Sequence, residues 1–140
     1  MNDLFVAVNL LALVGWCFLI FAPKAEITRI ALNNMLLPGL LCLIYSAFLI
    51  TEIFLRAGSG EGGFTSITAV QGLFSAPNGV LLGWTHYLAF DLFVGIWIVE
   101  RARFQNRWPL ILILISCMLF GPLGLLLFLG QQAIMQRVSI

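Results

Sequence analysis

Charge is scarce in this chain. Only 9% of its 140 residues are Asp, Glu, Lys or Arg, against about 25% in ordinary soluble domains. The net charge of +1 leaves no concentrated basic face, so a nucleic-acid partner is excluded. Histidine occurs once, at His86. That excludes haem held by two histidines, and no zinc-ligand spacing links His86 to the cysteines. No metal is therefore expected. Cysteine is sparse too: Cys17, Cys42 and Cys117 are an odd count, lie far apart and contain no CxxC pair, so no complete disulfide framework is expected. All three fall in apolar runs and read as buried packing residues. No glycine loop precedes a lysine, so the phosphate-binding signature is missing as well.

What is abundant is apolar surface. The chain is 61% hydrophobic with a mean hydropathy of +1.06. So short a chain cannot hide that excess in its own core, and lipid must solvate much of it. Runs of about 20 apolar residues span a bilayer. Four qualify: 4–22, stopping at Pro23; 30–55, stopping at Arg56; 80–99, stopping at Glu100 and Arg101; and 109–130. The expected fold is all-α, one membrane domain built as a four-helix up-down bundle.

Loop charges set the orientation. Lys24 and Arg29 lie between the first and second spans, and Arg101, Arg103 and Arg107 between the third and fourth. The positive-inside rule puts both loops in the cytoplasm and both termini outside. Asp3 stands where a signal peptide would carry a basic residue, and no small-residue cleavage site follows Phe21. The first span is thus expected to stay in place, in a bacterial inner membrane or a processed form.

Between spans two and three, AGSGEGGF is rich in glycine and reads as a flexible connection. From Thr65 to Ser75, Ile67, Val70, Leu73 and Phe74 recur at helical spacing, which predicts a short interfacial helix. Pro77, Asn78 and Gly79 give a turn signal.

Ionisable residues at membrane depth stand out, because each costs roughly 2.5–3.5 kcal/mol to insert. Asp91 lies about 17 Å into the third span and His86 about 9 Å. Five residues apart, they are about 140° apart around the helix and share no face. Trp84, Tyr87, Asp91 and Gly95 form one stripe; His86, Phe90, Phe93 and Trp97 form another. Counting depth along the antiparallel second span puts Glu52 near the level of His86 and Tyr45 near that of Asp91. Asn34, Pro38, Leu41, Tyr45 and Glu52 share one side of span two, which predicts a polar seam against span three. In span four, FGPLG predicts a kink. Trp84 and Trp108 lie near span ends and read as interfacial anchors.

Several stretches match a known pattern in register. APKAEIT (residues 22–28), LFSAPNGVLLGWTHYLAFDLFVG and FGPLGLL resemble the membrane family that includes plant neoxanthin synthase, the abscisic-acid-deficiency-four-like family. Plant members carry a plastid-targeting leader ahead of this region. The resemblance implies a carotenoid or related isoprenoid as ligand, with cofactor-independent isomerisation of a xanthophyll epoxide to an allene. Such a step needs a proton donor to the epoxide oxygen and an acceptor for a ring-adjacent proton. Asp91, kept neutral by burial, is the implied donor, and His86, or a Glu52–His86 pair, the implied acceptor. Trp84, Tyr87, Tyr45 and Glu52 are the implied substrate-binding positions. The rival reading is a non-catalytic membrane subunit or scaffold assisting pigment or lipid enzymes, as a homo-oligomer or with a partner enzyme. No role follows from the sequence for the loop motif Pro23 to Thr28.

Overall fold

The computed structural model describes residues 2–51, 63, 65–102 and 107–138, with Asn33 and Val138 described by their backbone alone. Among these, all regular structure is helical. Helix α1 (Asn2–Phe21) rises about 30 Å over its 20 residues, the thickness of a hydrocarbon core. Proline ends it, and the following motif forms a tight connection. Ala25 N–H donates to the Ala22 carbonyl (3.0 Å), and the buried Thr28 hydroxyl donates to that same carbonyl (2.6 Å). Helix α2 (Glu26–Thr28) carries an exposed Glu26–Arg29 ion pair. These contacts assign Pro23 to Thr28 a structural role: they close the turn between two crossings.

The second crossing is not one smooth helix. A π-helical stretch, Arg29–Asn33, leads to Met35 at φ 58°, a left-handed conformation that non-glycine residues seldom adopt. Helix α3 (Leu36–Ile50) starts just beyond it, with Pro38 in the first turn, where a missing N–H does no harm. The last four residues of the expected span, 52–55, lie outside the described residues.

Helix α4 (Ile67–Phe74) is the expected short helix, capped by Ser66, whose hydroxyl accepts from Ala69 N–H (3.1 Å). Helix α5 (Pro77–Arg101) begins three residues earlier than expected. Pro77 occupies its first helical position, where a proline is pre-organised, so residues 77–79 form a helix start rather than a separate turn.

Helix α5 is the axis of the molecule. Helix α1 runs parallel to it, since Asn9 meets Trp84 (3.0 Å, indole N–H to amide oxygen) and Trp16 lies further along against Gly95. Small residues bring the two close. A Cβ on Gly95 would fall 2.6 Å from the Trp16 ring, and one on Gly15 would fall 2.8 Å from Leu92. Close backbone approach of this kind supports helix association in lipid, where burial of apolar surface supplies no drive. The Val8, Ala12, Trp16 and Leu19 stripe is buried against Ala89, Leu92 and Ile96. Thr85 is buried as well, and its hydroxyl donates to its own Leu81 carbonyl (2.8 Å).

The fourth span differs most from expectation. Helix α6 (Arg107–Phe120) has 14 residues and rises only about 21 Å, short of a full crossing. Gly121 then takes φ +44°, and α7 (Pro122–Val138) folds back. Gly124 packs on the Cys117 backbone, although a straight helix would separate those residues by about 10 Å. Phe128 reaches the Trp97 ring (5.6 Å, edge-on). Gln132 and Gln136 share a cavity with Glu100 and Arg101. Helices α6 and α7 are therefore a hairpin with its elbow about halfway along α5. Among the described residues three stretches are long and apolar enough to cross a membrane, Asn2–Phe21, Glu26–Ile50 and Pro77–Arg101, and α6 is a shorter apolar helix. The start of α1 and the end of α7 lie toward opposite ends of α5. The cause is local: Gly121 tolerates the left-handed turn, Pro122 offers no N–H to continue the ladder, and Gly124 has no side chain to hold the arms apart.

Candidate functional site

The Asp91 side chain meets the elbow. It lies beside Gly121, close enough that a Cβ on that glycine would overlap the carboxyl. Asp91 is 8% exposed and its Oδ2 is buried without a hydrogen-bond partner. An orphan acceptor at this depth is costly, which makes Asp91 a functional candidate. The Cys117 thiol approaches the Asp91 backbone carbonyl (3.9 Å). The Tyr87 phenol, one turn earlier on α5, donates to the Leu119 carbonyl (3.2 Å) and lies within interaction range of the carboxyl. Tyr87 and Asp91 thus share a face, as their spacing of four predicts.

Above the elbow the hairpin supplies no further helix; α4 packs on the start of α5, with Phe74 against Gly83, and Trp84 stays exposed beside it. An aromatic ladder climbs this side of α5. Tyr87 packs on Trp84 (ring centroids 5.6 Å apart) and Trp84 on Phe5 of α1 (6.0 Å). Phe5, Trp84, Leu119 and Phe120 remain exposed along this groove. Its foot is a carboxyl and a phenol; its walls are rings and aliphatic groups. Such a half-depth groove suits an extended apolar molecule with a polar end.

His86 lies elsewhere. It is exposed on the α3 side of α5, stacked on Phe90 (4.6 Å) and tilted against Tyr45 of α3 (5.4 Å). The expected seam between the second and third crossings exists here, with Pro38 and Leu41 buried in it. Its register is corrected: Tyr45 sits at the level of His86, not of Asp91. The expectation that Asp91 faces span two is corrected as well, because its neighbours come from α6 and the elbow. Asp91 and His86 are not brought together. Glu52, assigned to the same seam, lies outside the described residues. Among the cysteines only Cys117 is buried; Cys17 and Cys42 are exposed on the outer helix surfaces, where hydrocarbon rather than a core surrounds them. Trp108 is exposed at the start of α6, in keeping with an interfacial anchor.

Sequence reasoning missed Phe5, Asn9 and Leu119, and read Cys117 only as a buried packing residue, which it is. Asn9, a polar side chain in the first span, was the one available signal. Arg107 was counted only as a loop charge, yet its guanidinium donates to the Ile20 and Phe21 carbonyls (3.3 and 3.5 Å), closing the C-terminal end of α1.

Membrane-length apolar helices around a polar-footed groove define a polytopic helical membrane protein. The profile of the ABA DEFICIENT 4-like family matches residues 3–128, and the chain belongs to that family. No curated protein and no solved structure matches it.

Proposed function

We propose that this protein holds a carotenoid or similar isoprenoid in the α1–α5 groove and isomerises its epoxide end group to an allene. The observation that carries this reading is the buried Asp91 carboxyl, with Oδ2 unpartnered, at the foot of an aromatic ladder. Family membership supports the substrate class by analogy. Rings at Tyr87, Trp84 and Phe5 offer a polyene flat contact surfaces, and the end group then meets the polar foot.

The chemistry is balanced without a cofactor. In its protonated form the Asp91 carboxyl gives its proton from one oxygen to the epoxide oxygen as the ring carbon–oxygen bond breaks. Its other oxygen takes a proton from the adjacent polyene carbon as the allene forms, so the carboxyl ends as it began. Tyr87 positions the end group. His86, on the far side of α5, lines a separate aromatic surface with Tyr45 and has no part in proton transfer.

The test is conversion of violaxanthin supplied to membranes containing the protein, resolved chromatographically. Asp91→Asn abolishes conversion, Tyr87→Phe reduces it, and His86→Ala leaves it largely intact. A fully active Asp91→Asn protein would rule out this assignment. One observation favours a second reading, a non-catalytic membrane subunit: the carboxyl fills the space that a side chain at Gly121 would need and so packs against the elbow. Under that reading a labelled carotenoid co-purifies, alone or with a partner enzyme, while no new pigment appears.

The proposed setting is a bacterial inner membrane, with the basic connections inside. Cysteines placed at Asn2 and Arg137, in a chain lacking its native thiols, then label from opposite sides. Labelling from one side only would overturn the hairpin's direction.

A further inference from the structure

We propose that the cavity between the last turn of α5 and the second half of α7 binds the headgroup of a zwitterionic aminophospholipid, phosphate on Arg101 and ammonium on Glu100. This site is separate from the groove at Asp91 and does not depend on the carotenoid reading. The cavity is about 570 Å³, lined by Trp97, Glu100, Arg101, Phe128, Gln132 and Gln136 among others, within the usual range for a ligand site.

Three features select the ligand. The Arg101 guanidinium lies over the Trp97 ring, 4.4 Å from its centroid. Stacking fixes the plane of the group and leaves its in-plane N–H donors at the edge, the geometry that receives phosphate oxygens. Among the described residues, neither Arg101 nor Glu100 has an ion-pair partner. Adjacent on the helix, the two point about 100° apart and so present opposite charges side by side without neutralising each other. Finally, the Gln132 Nε2 is buried with no partner, a donor in want of an acceptor.

A purely anionic head would have to sit beside the Glu100 carboxylate. A head carrying both phosphate and primary ammonium satisfies both charges, with the Gln132 amide completing the phosphate's hydrogen bonds. The position agrees with a lipid source. The cavity lies where α5 ends at Arg101, and tryptophan beside arginine is typical of the headgroup layer. Phe128 meets Trp97 edge-on below it, and Leu126 and Leu129 remain exposed along α7, an apolar track for acyl chains.

The experiment uses delipidated full-length protein in detergent, titrated separately with phosphatidylethanolamine, phosphatidylglycerol, phosphatidylcholine and inorganic phosphate. Native mass spectrometry reads retained lipid and thermal unfolding reads stabilisation. Phosphatidylethanolamine is expected to be retained best and to stabilise most. Arg101→Gln and Glu100→Gln each weaken its retention roughly tenfold, as for a lost charge-assisted hydrogen bond. Lys24→Gln, a cation on the same face but outside the cavity, changes nothing. Both variants replace exposed side chains, and unfolding curves verify that they fold. Phosphatidylcholine, whose quaternary ammonium donates no hydrogen bond, binds like the Glu100→Gln case. Equal retention of phosphatidylethanolamine and phosphatidylglycerol would overturn the proposal. So would indifference to either variant, or equal stabilisation by inorganic phosphate alone.

Discussion

Five residues separate His86 from Asp91 on one helix, and their surroundings are opposite. His86 lies exposed among rings, beside Tyr45 and Phe90. Asp91 is buried against a backbone reversal, with one carboxyl oxygen unpartnered. Both sit at membrane depth, so depth alone does not separate structural from chemical roles. The angle around the helix decides which neighbour each side chain meets. On the α3 side that neighbour is the second crossing, which packs apolar and aromatic groups against α5. On the other side it is a hairpin that stops halfway, burying the carboxyl at its elbow and leaving Trp84 exposed and Tyr87 half-buried above.

The contrast breaks first at the hairpin. Gly124→Leu should cost the upper end of the roughly 1–3 kcal/mol typical of overpacking, because the Cys117 backbone cannot yield as a side-chain tip can. On the same helix, a Cβ on Gly130 meets nothing within 4 Å, so Gly130→Ala should be neutral or gain up to about 1 kcal/mol from helix propensity. Thermal unfolding in detergent compares them. Equal effects would mean that the arms are not folded together.

Gly121→Ala comes next, at about 1–2 kcal/mol for a left-handed alanine, plus the overlap with Asp91. Adding Asp91→Ala should return the overlap portion and leave the backbone portion. A double-mutant cycle on unfolding midpoints isolates the two. Strict additivity would separate the carboxyl from the elbow.

Thr28→Val should cost about 0.5–1.5 kcal/mol, the net worth of its hydrogen bond to Ala22, measured as a lower unfolding midpoint with groove binding unchanged. The smallest effect is expected from His86→Phe, within about 0.5 kcal/mol as for other exposed substitutions, because a phenyl ring retains the stacking on Phe90. A large loss there would return His86 to the chemistry and erase the contrast between the two sides.

Much of the organisation was legible in the chain. Proline at residue 23 and the charges at Glu100 and Arg101 mark helix ends. The apolar stripe from Ile67 to Phe74 marks α4, although its Ser66 cap was not read from the sequence. The spacing of four between Tyr87 and Asp91 puts them on one face. The seam of Pro38, Leu41 and Tyr45 was legible as a face, but its register against α5 was not. Counting residues from the span ends assumed smooth antiparallel helices, whereas the second crossing is interrupted at Met35.

Sequence by itself determined that this chain is a membrane protein, where its long apolar runs lie, and that a carboxyl falls near the middle of one of them. Hydropathy and helical rise settle those matters locally. Only the tertiary structure decided that the last helix turns back and that Asp91 faces the turn while His86 faces outward. In a membrane, lipid and neighbouring helices are equally apolar, so hydropathy does not report which one a side chain meets. Gly121-Pro122 announces a break, and its direction is set by what packs on either side, Asp91 at the elbow and Cys117 beneath Gly124.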